Sequence, residues 1–502
     1  MKKLMILFLG ALALAVSGAV KLPAVFSDHA VLAKKANVPV FGKADPGEKV
    51  TVSFNGQTVT TTAGKDGGWR VSLNLANSPE GPFELKVNDL VIKDVIVGEV
   101  WLCSGQSNMA FAMLGSAGYK KEVAKPVGSR LRCFAVKRNS SKDPVSEVSG
   151  QWYYASAAGT RVFPGVGYFF GKKLLQEVNR PVGLISAAWG GTDISAWMDW
   201  QAISEVPTAL KRAKIKDAKN PSKRERVKPT RLYNAMIYPL LPYALNGVIW
   251  YQGERASNWP EDYAQLTRSL VKQWRRDFDF PEMPFYWCNL ANYRAKNPDP
   301  NAKSSWALVR EQQTLALDTP HTGQAILIDV GEAGNIHPRD KKTPGERLAA
   351  IALANVYGKK IPFAGPMVAS VKRQGSEVVI AFNNICGGLV ARKLPAEYVA
   401  RRAFKAQKAA KGKPAVPAIP AVIAKLERYS PDAQLQGFAI CGKDGKFYWA
   451  DKAEIKGDKV VISSSKVAEP VEIRYAWAQN PTCNLYNKAG FPAVPFRHKV
   501  DK

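Results

Sequence analysis

Glu99-Val100-Trp101-Leu102-Cys103-Ser104-Gly105-Gln106-Ser107-Asn108-Met109 decides how the rest of the chain is read. Residues 99–103 form a continuous apolar run, the pattern of a strand buried on both faces, and such strands belong to parallel sheets covered by helices. Gly105 then lets the chain turn tightly, and Ser107 is delivered just past the strand end. A hydroxyl is a poor nucleophile at neutral pH, so it needs a base to take its proton and donors for the oxyanion that forms. Gly191, Gln252 and His337 follow in order and are of the types that can supply both.

Working outward, apolar runs at 131–136, 182–187, 247–251, 285–290 and 325–330 repeat the continuous pattern. Helical stretches lie between them; within 261–278, Tyr263, Leu266, Leu270 and Trp274 recur on one face. Alternating strand and helix over residues 95–360 predicts an α/β domain, a parallel sheet with helices on both sides. Ligands in such sheets bind at the carboxyl ends of the strands. Ser107, Gly191 and Gln252 each follow a strand by a few residues and His337 follows the last, so all four are expected at that edge.

The flanks read differently. Residues 20–94 carry short alternating runs, such as 49–54 and 69–73, between turn signals at Asp45-Pro46-Gly47, Asn55-Gly56 and Asp66-Gly67-Gly68, which predict a small β-sandwich. After residue 361 the β character returns at 368–382, 437–440, 460–463 and 471–477, as a second sandwich running to 502. A low-complexity insertion rich in Ala, Lys and Pro interrupts it at about 401–424. At the other end, Lys2 and Lys3 precede an apolar stretch over 4–16, and Ser17 and Ala19 fit a cleavage site. A signal peptide of residues 1–19 is expected, with the mature chain starting at Val20 in a periplasm or outside the cell.

A chain of 502 residues, 46% hydrophobic, is long enough for two or three cores, which excludes a disordered chain. The net charge of +29 has local clusters at 211–228 and 401–413. No zinc finger, helix-turn-helix or aromatic RNA motif accompanies it, so acidic glycans, anionic lipid surfaces or mucus are expected rather than nucleic acid. No later apolar run is long enough to span a bilayer, so no stable membrane insertion is expected. The six cysteines are too widely spaced for a disulfide framework or paired metal ligands. Cys103, Cys133 and Cys288 read as buried thiols; Cys386 and Cys441 are placed to approach each other.

Among four histidines, His29 and His498 lie far from the α/β section, and His321 sits in a turn before a strand, at the wrong end of the sheet. His337 lies on the loop 331–342, ahead of a helix signalled by Thr343 as cap, Pro344 and Glu346. Asp329, Glu332 and Asn335 are near it in sequence, but Gly334 stands three residues before it, so a side-chain or backbone carbonyl group is left to orient the imidazole. Glu254 reads as a support for its neighbours, with acid or base work as the alternative. Trp189, Trp197, Tyr233 and Trp259 are candidates to stack on a sugar, although most aromatics are core.

Together, residues 101–109, Trp189-Gly190-Gly191-Thr192, Trp250-Tyr251-Gln252-Gly253-Glu254 and Ile336-His337-Pro338 resemble the sialate O-acetylesterases of the SGNH hydrolase superfamily. The likeness extends to Leu22-Pro23-Ala24-Val25-Phe26-Ser27 and to Arg474-Tyr475-Ala476-Trp477 and Asn484-Leu485-Tyr486-Asn487. The resemblance implies a flavodoxin-like three-layer α/β/α domain flanked by β-sandwiches, an O-acetylated glycan as substrate, and no metal or cofactor. It further implies Ser107 as nucleophile, His337 as base, and Ser107, Gly191 and Gln252 as oxyanion donors; Glu254 and Asn335, read from their places beside these residues, are the candidate supports. Arg255, Ala256 and residues 193–195 depart from the family pattern beside the presumed sugar pocket, which bears on the substrate more than on the reaction. Two rival readings follow: an acetylesterase for xylan or pectin, and a glycan-binding protein with an inactive hydrolase core.

Overall fold

A computed structural model describes residues 20–218, 225–392 and 434–501; the expected signal peptide and the low-complexity insertion lie outside the described residues. At its centre is a sheet with the order Thr322–Ala325, Phe285–Cys288, Gly247–Tyr251, Leu90–Gly105, Val182–Ala188, Gly128–Val136 and Gly150–Ala155. The first six strands run parallel, and the Gly150–Ala155 strand closes one edge antiparallel. Alternation along the Leu90–Gly105 strand sends Val100 and Leu102 to one core and Trp101 and Cys103 to the other. Helices Gly165–Val178 and Lys342–Asn355 pack on the Trp101 face, with Val166, Phe170, Leu348 and Ala352 buried there. On the Val100 face lie helix Tyr263–Asp277, with the predicted Tyr263, Leu266, Leu270 and Trp274 all buried, and helix Ser305–Leu315, whose Ser304 hydroxyl caps Ala307 N–H at 3.1 Å. The expected three-layer α/β/α arrangement is present.

Several expectations need adjustment. The strand expected at 325–330 ends at Ala325, because Ile326 and Ile328 leave the ladder to join the core of the C-terminal β region. Gly150–Ala155, a strand missed in the sequence, pairs with Gly128–Val136. The boundary set at residues 94 and 95 falls inside one sixteen-residue strand, Leu90–Gly105. Its first part pairs with Phe83–Val87 in the N-terminal β unit and its last part with the parallel sheet. Val50, Val52 and Phe54 therefore share a core with Leu102, Ile185 and Trp250. The Asn55-Gly56 hairpin forms as read, with φ of 46° and 77° at its two turn residues, the left-handed pair that a tight hairpin needs.

The C-terminal region holds the antiparallel pairs expected of it. Met367–Gln374 turns back into Glu377–Asn383, which pairs with Lys459–Ser463; Phe438–Cys441 pairs with Glu472–Tyr475. All six cysteines are free thiols, so Cys386 and Cys441 are not joined. Among the described residues no helix is long and apolar enough to cross a membrane.

Candidate active site

Three adjacent strands end at one level. Gly105 is in register with Ala188 on one side and Tyr251 on the other, so the segments bearing Ser107, Gly191 and Gln252 leave the sheet side by side. Gly105 has φ of 130°, and a Cβ there would stand 2.3 Å from the Tyr251 carbonyl oxygen, which is why glycine ends the strand. The turn beyond it is closed by Gln106 N–H on Tyr251 O, Ala110 N–H on Gln106 O and Trp189 N–H on Gly105 O, at 2.9, 2.9 and 3.1 Å. Gly190 lies against Ser107; a Cβ on it would come within 3.0 Å of the Ser107 Cβ. The backbone N–H groups of Ser107 and Gly191 have no protein acceptor among the described residues.

His337 reaches this edge on the loop that follows Thr322–Ala325, with two strands lying between that strand and the one bearing Ser107. Side chains guide that loop. Asn292 Oδ1 accepts Gly331 N–H at 2.6 Å, and Asn335 grips the backbone of His337, its Oδ1 accepting His337 N–H at 2.9 Å and its Nδ2 donating to His337 O at 2.7 Å. Asn108, next to Ser107, donates to Ile336 O at 3.1 Å. Ser107, His337, Trp189, Gly190, Ala110, Phe111 and Arg138 line one cavity of about 340 Å³, room for a small ligand. The His337 ring lies 6.4 Å from that of Phe111. Burial, with the Lys341 charge adding to it, holds His337 below the ordinary histidine range, so the imidazole is neutral and able to accept a proton.

Among the described residues no hydrogen bond reaches the His337 ring. The carboxylates near it in sequence are engaged elsewhere: Asp329 pairs with Arg347 and accepts from Tyr486 OH, and Glu332 accepts Arg339 N–H. The helix after the loop starts one residue before the expected cap, so Thr343 lies in its first turn and gives its N–H and hydroxyl to Asp340.

Gln252 is wholly buried rather than on the cavity wall. Its Nε2 donates to Thr192 O at 3.2 Å and Gln106 Oε1 at 3.3 Å, while Tyr263 OH donates to its Oε1 at 2.6 Å. Glu254 bonds both neighbours of Ser107: one carboxylate oxygen accepts Gln106 Nε2 and the other Asn108 Nδ2. Of the four aromatic candidates only Trp189 reaches the cavity. Trp197 and Tyr233 are core, bonded to Thr192 and Asp277, and Trp259 is exposed beside Arg212. Sequence reasoning missed Arg138, which stands two residues past the Gly128–Val136 strand, and Lys341, buried behind the site. The strand-end rule already pointed to Arg138; nothing local marked Lys341.

Comparison with known proteins agrees with this architecture. The family model described as carbohydrate esterase, sialic acid-specific acetylesterase, matches residues 97–353. The sialate O-acetylesterase of Mus musculus is 30% identical over 410 residues, 69% of this chain and 75% of that protein, and the Homo sapiens enzyme 29% over 393 residues, 69% and 73%. A crystal structure of a carbohydrate acetylesterase from Xanthomonas citri superposes with a TM-score of 0.81 at 33% identity, covering 96% of this chain and 99% of that one. The chain belongs to the family of sialic acid-specific carbohydrate acetylesterases.

Proposed function

We propose that the protein is a serine esterase that removes O-acetyl groups from sialic acids through an acetyl-enzyme. The observation that carries this reading is the meeting of Ser107 and His337 on one cavity at the carboxyl edge of the sheet, beside backbone N–H groups that lack acceptors. His337 takes the Ser107 proton as Oγ attacks the acetyl carbonyl. The tetrahedral oxyanion is met by the Ser107 and Gly191 N–H groups, while Gln252, buried behind them, ties Gln106 to Thr192 through its side-chain amide. The imidazolium then protonates the departing sugar oxygen, and water, deprotonated by the same imidazole, releases acetate. No step requires a metal or cofactor. Arg138 is the one permanently charged side chain on the cavity wall and has no carboxylate partner among the described residues; in this reading it meets the carboxylate of the sialic acid.

A serine-directed fluorophosphonate should give a single adduct at Ser107, and Ser107→Ala should lose about a thousandfold or more of acetate release while unfolding at the same temperature. Retained turnover by the folded variant would remove the nucleophile assignment. Absence of both labelling and turnover in the unaltered protein would favour a binding protein. A second reading, an acetylated plant polysaccharide as substrate, uses the same Ser107 and His337 chemistry at the same cavity. Parallel kcat/KM values on O-acetylated sialic acid, acetyl xylan and acetyl pectin separate the two. Export of a mature chain beginning at Val20 belongs to the same proposal, and N-terminal sequencing of the protein from its producing cells checks it.

A further inference from the structure

Lys341 is four residues past His337 and immediately precedes helix Lys342–Asn355, yet it is wholly buried, an unusual place for an ammonium. Its Nζ donates to Asn108 Oδ1 at 2.6 Å and stands 4.7 Å from the ring centre of Phe111 and 5.6 Å from that of Tyr251. Asn108 passes the connection on, donating to Glu254 and to Ile336 O. Glu254 also accepts from Gln106, and Gln106 Oε1 accepts from Gln252. One buried chain of polar groups thus runs beneath Ser107, through both its neighbours, and touches the residue before His337.

Both Glu254 oxygens accept amide N–H groups, which suits the carboxylate, and Lys341 supplies the compensating charge. Burial lowers Lys341 to about 8, with Glu254 opposing. Burial raises Glu254, and its hydrogen bonds from Asn108 and Gln106 and the Lys341 charge oppose that. Buried charges of this kind are costly unless their geometry and hydrogen bonds are kept.

We propose that Lys341 is a positioning residue whose ammonium, joined through Asn108 to Glu254, locks the serine turn and the histidine loop into one unit. Its charge has a second effect. The groups facing His337 are Lys341 behind it and Arg138 across the cavity; Glu332 is held by Arg339, Asp340 by Thr343, and Glu254 lies beyond Asn108. Removing the Lys341 charge therefore favours the imidazolium and takes base away at low pH.

This inference rests on the esterase reading, and p-nitrophenyl acetate hydrolysis by the unaltered protein is the control; no turnover there overturns both. Lys341→Met should lower kcat at neutral pH by about tenfold to a hundredfold, with KM changed by about twofold or less, because a small misplacement of reacting groups costs that much. Its acid limb of kcat/KM should move to higher pH, which looser packing alone would not do. Lys341→Arg should return the limb to its original position. A folded Lys341→Met protein with unchanged kcat and an unmoved limb overturns the proposal. Should Lys341→Met fail to fold by circular dichroism, Asn108→Ala severs the same link with the charge in place: kcat should fall while the limb stays, and unchanged kcat overturns the proposal.

Discussion

The serine turn and the histidine loop meet at one cavity but are held in different ways. Around Ser107 the anchors are main chain: three strands in register at Gly105 and three short backbone bonds within and beside the turn. Around His337 they are side chains: Asn335 from the loop itself, Asn292 and Asn108 from distant segments, and the Asp329 and Arg347 pair at its base, reinforced by Tyr486 from the C-terminal β region. A turn fixed by its own backbone is written in adjacent residues; a loop fixed by long-range polar contacts is not.

Breaking the first arrangement should cost most. Gly105→Ala places a methyl against Tyr251 O at a φ that disfavours any side chain, and should lower stability in urea unfolding by about 3 kcal/mol together with loss of activity. Breaking the second is gentler on the fold. Asp329→Asn keeps an acceptor but weakens the charged hydrogen bonds to Arg347 and should cost about 2 to 3 kcal/mol, with a fall in kcat as the histidine loop loosens. Unchanged stability together with unchanged kcat would show that the pair does not brace the loop. The native pair also has a pH signature. Burial alone would raise Asp329, but the Arg347 charge and hydrogen bonds prevail and lower it, so the pair's contribution is complete above the carboxyl's unfolded value and is lost as pH falls through the lower folded one.

Activity should report on the histidine side in the same way. Because burial and Lys341 lower His337, the acid limb of kcat/KM should fall below about 6.5, the ordinary histidine value, in the unaltered protein; a limb above it would mean that the imidazole is stabilised as a cation by something else. The smallest effect is expected from Asn335→Ala, which removes both bonds to the His337 backbone and should lower kcat by about fivefold, the equivalent of about 1 kcal/mol.

The same contrast explains how much of the molecule is legible in its sequence. Buried strands announce themselves by unbroken apolar text, so the sheet and the residues that follow its strands could be placed by reading alone. His337 emerged by elimination among four histidines. Of its supports only Asn335, two residues away, was named from the sequence; Asn292 and Tyr486 are remote in sequence, and Lys341 is one of 71 basic residues with no local mark of burial. The strand predicted at 325–330 was misplaced because apolar residues serve a ladder and a neighbouring core equally well, and only the folded chain distinguishes them. Trp197 and Tyr233 show the same ambiguity for aromatics.

The sixteen-residue strand shared by the N-terminal β unit and the esterase layer has a practical consequence. Trimming the gene to begin at residue 97, where the family match starts, would cut that strand in half and strip the hydrophobic cover from Leu102 and Trp250. Anyone seeking a minimal catalyst, or grafting this esterase onto another carrier, must move the β unit with it as a single building block.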